Sequence, residues 1–136
     1  MMAFELDPRL SASSLELGTF RGCRVLLKNN AHYFWFLLVP EVDRKVTELH
    51  ELPAPRYKEV CAAIRELSTW VKGTFKPDKL NVAAIGNIVS QLHVHIVGRM
   101  ENDVAWPGTV WACEEKKAYS LDEIRGIQKR FNQRFG

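Results

Sequence analysis

Cysteine is scarce in this chain and badly placed for structural work. The 136 residues include three, Cys23, Cys61 and Cys113, odd in number, far apart and without a Cys-x-x-Cys spacing. That pattern excludes a disulfide framework and a cysteine-based zinc ribbon. Reduced thiols in a cytoplasmic protein, buried as small hydrophobes, are expected instead. Long apolar runs are also missing. The longest lies near Phe34–Pro40, far short of the roughly 20 residues of a membrane span, so no membrane partner is expected. The first ten residues, MMAFELDPRL, carry an early acid and an early proline and no continuous apolar stretch, so a signal peptide is not expected there. A strong charge of either sign is absent as well. Nineteen basic against 16 acidic residues leave +3, too little to argue for nucleic acid. Repeats, low-complexity tracts and linkers do not occur. What is present is ordinary for one soluble domain with a real core: 46% apolar and 26% charged residues.

Periodicity predicts a mixed α+β domain with mainly antiparallel strands and two substantial helices. Arg24–Lys28 reads as a short strand, and Asn29-Asn30-Ala31-His32 as a turn, because asparagine tolerates left-handed backbone and bonds its own main chain. Tyr33–Val39 is aromatic and apolar at nearly every position, which predicts a central strand covered on both faces and ended by Pro40. A helix is expected over about Arg56–Phe75, where Val60, Ile64, Leu67, Val71 and Phe75 recur at helical spacing and Pro77 stops it. Lys79–Ala84 reads as a further strand. Ser120-Leu121-Asp122-Glu123 is a capping box opening a second helix, with Leu121, Ile124, Ile127 and Phe131 expected to face inward. Trp35 and Trp70 are read as core residues. His32 and His50 are read as surface residues.

The chemistry concentrates in Gln91-Leu92-His93-Val94-His95-Ile96-Val97, which spends two of the four histidines. The segment alternates strictly. In a strand, successive side chains point to opposite faces, so Leu92, Val94 and Ile96 can face a core while Gln91, His93 and His95 face a common site. Two imidazoles spaced by two residues sit roughly 6.6–7 Å apart at Cα, close enough to share one small anion or one metal ion. Three explanations remain open on the spacing alone. A neutral imidazole is a competent nucleophile near neutral pH, with its neighbour bonding an oxygen or donating a proton, and turn amides near Gly86-Asn87 completing an anion site. His-x-His is also a common metal-ligand pair on strands, although His32 and His50 lack ligand-like spacing and no acid follows the pair. Two half-exposed histidines without a task are the third.

The surrounding residues add a resemblance. Gly86-Asn87-Ile88-Val89-Ser90-Gln91-Leu92-His93-Val94-His95-Ile96-Val97-Gly98-Arg99 resembles the signature of the histidine-triad (HIT) superfamily, His-φ-His-φ-His-φ-φ with φ apolar, preceded by Gly-Gln or Gly-Asn and often followed by Gly-Arg or Pro-Arg. Phe36-Leu37-Leu38-Val39-Pro40 is similar to the family's apolar strand ending in proline. Asn81 and Trp106-Pro107 match in the expected order. The likeness covers roughly residues 20–112.

That resemblance implies a HIT-like α+β fold: an antiparallel five-stranded sheet with two main helices, pairing into a ten-stranded sheet in a homodimer. It implies a HIT domain over residues 1–112 and a C-terminal helical extension, 113–136, packed on the same domain. It further implies a nucleotide hydrolase or transferase that works without a cofactor. His93 would attack the α-phosphate of a nucleoside phosphoramidate, nucleotidyl anhydride or dinucleoside polyphosphate to give a nucleotidyl-histidine, and His95 would bond phosphate or leaving-group oxygens. Asn87 would lie near the phosphate, Asn81 would help hold substrate, and Asn29 or Asn30 would take the place of an acid on the ribose hydroxyls. Gln91 stands where the family has its first histidine. It can donate and accept hydrogen bonds but cannot titrate. A catalytically weak nucleotide-binding or regulatory protein is therefore the alternative, and a metal-binding His-x-His protein the minority one.

Overall fold

The computed structural model describes residues 4–136. The N-terminal stretch read above for a signal peptide begins on residues 1–3, outside the described residues. Five antiparallel strands form one sheet: β1 (Ser14–Phe20), β2 (Cys23–Lys28), β3 (Phe34–Pro40), β4 (Lys79–Ala83) and β5 (Val94–Arg99), in the order β1-β2-β3-β5-β4. Three helices accompany it: α1 (Pro8–Ala12), α2 (Ala54–Phe75) and α3 (Leu121–Phe135). No described helix is long and apolar enough to cross a membrane.

β3 is central, as its continuous apolar run predicts, and its side chains divide between two cores. Phe36 and Leu38 join the larger core with Leu92, Val94 and Ile96, the buried stripe of α2 (Val60, Ala63, Leu67, Trp70, Val71) and Ile127 and Phe131 of α3. Trp35, Leu37 and Val39 join a second core on the opposite face with Leu26, Val97, Leu10, Val89 and Val110. Because both faces are covered, β5 is buried along its whole length.

Several expectations need correcting. β1 and α1 were not foreseen. β1 is interrupted by an irregularity between Glu16 and Gly18, which blurs its alternation. The usable signal was the two-residue turn Arg21-Gly22, both left-handed (φ +49° and +68°), a geometry that joins tightly twisted strands. The histidine strand begins at Val94 rather than Gln91, so His93 precedes the ladder. Leu121 is 69% exposed, because at the first position of α3 it lies beyond the stripe that Ile127 and Phe131 bury. Cys23 is buried, but Cys61 is exposed and Cys113 half-buried.

The Gly98-Arg99 pair that closes the motif is structural. A Cβ on Gly98 would meet Phe34 and Pro77 carbons at 3.3 Å, so glycine lets the chain ends of β3 and α2 approach β5. Arg99 is 1% exposed. It donates from Nε and an Nη to both carboxylate oxygens of Asp103 (2.8 and 3.0 Å) and from the other Nη to Asn81 Oδ1 (2.9 Å). Its guanidinium carbon also lies 5.5 Å from the ring centroids of Tyr33 and Trp106. A buried charge is tolerated only when paired this fully. Asp103→Ala, which leaves Arg99 buried and unpaired, is expected to destabilise the fold by about 3–5 kcal/mol in urea denaturation. A loss below about 1 kcal/mol, the scale of an exposed pair, would show that the pair does not hold this corner.

Candidate functional site

Strand register puts His95 on the second-core face. It lies opposite Leu37 on one side and Ala83 on the other, and the ring of His93, from the segment just before the strand, lies against it. Both are buried, 5% and 6% exposed, with ring centroids 4.8 Å apart. The face is closed by the N-terminal segment (Phe4, Leu6, Leu10), by Val89, and by a short 3₁₀ turn, Val110–Ala112, that lays Trp111 against His95 at 5.2 Å.

The partners of the two rings fix opposite tautomers. His93 Nδ1 lies 2.7 Å from the backbone oxygen of Gln91. A carbonyl only accepts, so Nδ1 carries the proton and Nε2 keeps its lone pair. His95 Nδ1 lies 3.0 Å from Trp35 Nε1. An indole N–H only donates, so this Nδ1 is bare and the proton sits on Nε2. The adjacent imidazoles thus present one nucleophilic nitrogen and one N–H donor.

Electrostatics favour the neutral form of both rings. Burial is the main cause, lowering His93 and pushing His95 down to about 3. The Gln91 carbonyl raises His93 against that trend. Lys28 acts on both rings in the same direction as burial. It projects onto this face from the end of β2, with Nζ 3.2 Å from Ser13 Oγ and 5.3 Å from the Trp35 ring centroid. Sequence reasoning missed both Trp35 and Lys28 as site residues. Trp35 is core, as expected, but its indole N–H also reaches a histidine 60 positions away. The parity that places it beside His95 exists only once β3 and β5 are paired.

The face accepts Gln91 for a reason the strand pattern does not show. Its Oε1 accepts from the backbone N–H of Asp7 and its Nε2 donates to the backbone carbonyl of Glu5, both at 2.8 Å. The carboxamide stands in for a peptide group and pairs with the N-terminal segment as a neighbouring strand would. Asp7 continues the attachment. Its carboxylate bonds the side chain and backbone N–H of Arg9 and the side chain of Arg44, and these groups, the Arg9 side chain first, hold its pKa down to about 2. Arg9 in turn reaches the backbone oxygen of Ile88 in the loop before the histidines.

The other residues read from the sequence divide. Gly86, with φ +65°, lines a small recess with Ala84, Ile85, Gln91 and His93, whose free volume of about 10 Å³ is room for a single water. Asn87 is exposed on the same turn. Asn81 faces the site side of β4 but is held by Arg99. Asn29 and Asn30 are committed elsewhere: Asn29 Oδ1 accepts from Tyr119 N–H (2.9 Å) and Asn30 Nδ2 donates to the Glu115 carbonyl (3.2 Å), fastening the C-terminal segment. His50 is exposed and His32 half-buried. Among the described residues no group of three or more His, Cys, Asp or Glu side chains comes together in a way that could hold a metal.

The fold that carries these histidines is shared with known proteins. The model of the HIT domain matches residues 10–102. A histidine triad protein from Bradyrhizobium japonicum is 32% identical and superposes with a TM-score of 0.95 over 99% of this chain and 100% of that one. One from Marinobacter aquaeolei VT8 is 35% identical (TM-score 0.93, 98% and 97% covered), and one from Sinorhizobium meliloti 1021 is 31% identical (0.92, 97% of each). A comparison with curated proteins finds no match. The chain belongs to the histidine-triad family.

Two outcomes are expected. Gln91→Ala leaves the Asp7 N–H and the Glu5 carbonyl without their partner and should cost about 1–3 kcal/mol, with faster amide exchange at Asp7 than at β3. Unchanged exchange there would show the N-terminal segment is held by other contacts. Asp7 binds fewer protons folded than unfolded, so its contribution is present above about pH 4 and lost as pH falls towards 2. An acid-unfolding curve of Asp7→Asn should be flatter over that window than the wild type's.

Proposed function

We propose that the chain is a nucleotide hydrolase or transferase that acts through His93. The observation that carries this is the hydrogen bond from His93 Nδ1 to the Gln91 carbonyl, which leaves Nε2 as a free lone pair beside the N–H of His95. In the step this arrangement suits, Nε2 forms a bond to the α-phosphorus of a nucleotide conjugate while the bond from phosphorus to the leaving group breaks and its electron pair leaves with that group. Attack by water then breaks the N–P bond, returns the pair to Nε2 and releases a proton to solvent. The left-handed Gly86 beside His93 supports a role for this turn in binding phosphate oxygens, with Asn87 at its edge. Gln91 sits between the two chemistries: its backbone oxygen orients the nucleophile, while its side chain holds the N-terminal segment. Replacement of the first triad histidine therefore leaves the nucleophile's own hydrogen bond intact.

The narrow recess beside His93 favours a second reading, a nucleotide-binding protein with slow turnover, since a nucleotide enters only if the Ala84–Ser90 loop or the N-terminal segment gives way. A homodimer is also consistent with the sheet. β4 is an edge strand, and Val82 and Ile85 near it are 46% and 38% exposed.

Mass spectrometry after brief incubation with adenylate and guanylate conjugates should detect a nucleotide on His93. His93→Ala should abolish the adduct and lower turnover by about a thousandfold or more. Saturable binding of nucleoside monophosphates in calorimetry, with neither adduct nor turnover, would establish the second reading instead. Light scattering at twice the 15.6 kDa chain mass would establish the dimer.

A further inference from the structure

We infer that Trp35 is a positioning residue that locks His95 as a neutral Nε2–H donor, and that the site therefore takes nucleotidyl anhydrides, whose leaving group departs as an anion, rather than amidates with amine leaving groups. The inference rests on the proposed attack by His93 and narrows its substrate. The indole of Trp35 offers a single N–H and no acceptor. With that N–H 3.0 Å from His95 Nδ1, a second proton on the imidazole would set two N–H groups head to head inside a buried face. The charged and titratable groups that bear on the ring make protonation harder still. His93 just before β5 and Lys28 on β2 both disfavour added positive charge, and Lys28 is itself lowered by burial and by Lys116. Asp7, the acid of the covering N-terminal segment, acts on His93 and is committed to Arg9 and Arg44. Trp111, packed against both His95 and Trp35, brings no charge, and its buried Nε1 has no partner among the described residues.

The consequence is chemical. A neutral imidazole has already given up its transferable proton, so His95 can bond a developing negative charge through Nε2–H but cannot protonate a leaving group. Gln91 does not titrate. Lys28 is cationic, and its hydrogen bond goes to Ser13 Oγ. A face that offers N–H donors and a positive charge stabilises an oxyanion. A phosphate or carboxylate leaving group departs with the electron pair of its P–O bond and needs no proton. An alkylamine leaving group must gain one as the P–N bond breaks, and neither His95 nor Gln91 can supply it.

Nitrogen-15 NMR of the histidine side chains in the full chain tests the lock without any substrate. His95 should show the Nε2–H tautomer and stay neutral from pH 5 to 8. In Trp35→Phe, which keeps a ring but removes the N–H, it should sample both tautomers and begin to titrate. An Nδ1–H tautomer or a titration within that range in the wild type would overturn the lock, even if the variant failed to fold. The substrate arm compares a mixed carboxylic–adenylic anhydride, a diadenosine polyphosphate and an adenosine N-alkylphosphoramidate at pH 7. A kcat/KM preference for the anhydrides of about a hundredfold, the lower end of what general-acid help supplies, is expected. Equal rates, or amidate cleavage that disappears in Lys28→Met, would overturn the leaving-group assignment. If no conjugate labels His93, the proposed function fails, while the NMR result still decides what Trp35 does.

Discussion

Both faces of the sheet are covered around β3 and β5, and so a polar group on the histidine face is bonded inside the protein or, like the Trp111 indole N–H, left without a partner among the described residues. Unpaired polar groups there would cost on the order of 1–3 kcal/mol each, and a stray charge more. That constraint sets the chemistry. His93 can face a carbonyl only as an N–H donor, and His95 can face an indole only as an acceptor. Two residues of the same type, two positions apart in the chain, are thereby given different protons and different capacities. Burial also favours the neutral form of both, and holds His95 neutral over the range where histidine normally switches.

Gln91 belongs to the same accounting. Its carboxamide meets the backbone N–H of Asp7 and the backbone carbonyl of Glu5, two residues apart on one chain segment, because its donor and acceptor sit side by side on one planar group. In a neutral imidazole the N–H and the lone pair point away from each other. Gln91 thus goes with an N-terminal segment that lies along the site, fixed at Glu5 and Asp7 by its carboxamide and tied through Asp7 to Arg9 and Arg44. The same segment buries Leu10 against the sheet, so the cover of the site and the second core are one object.

Arg99 plays the corresponding part at the far end of the strand. The motif residue that follows Gly98 supplies no chemistry to the imidazoles. Its buried pair with Asp103 and its bond to Asn81 tie the chain after β5 to β4, which keeps β5 straight and in register where the histidines need it.

Much of this was legible in the residues themselves. The continuous apolar run of β3, the helical stripe of α2, the capping box of α3 and the alternation around His93 and His95 each follow from local periodicity and side-chain chemistry, which is why the strands, the helices and the two-faced histidine segment could be read without a structure. The irregular β1, the five-residue α1 and the exposure of Leu121 could not, because a bulge and helix ends are decided by what packs against them. The roles of Trp35, Lys28 and Gln91, and the commitment of Asn29 and Asn30 to the C-terminal segment, rest on contacts between residues 15 to 90 positions apart. The sequence by itself determined which side chains share a face of a strand, since that is a property of consecutive residues. Which nitrogen of each histidine keeps its lone pair was decided only when β3 folded beside β5 and the chain before His93 turned its carbonyl inward, because a tautomer is chosen by the partner, and tertiary structure supplies the partner.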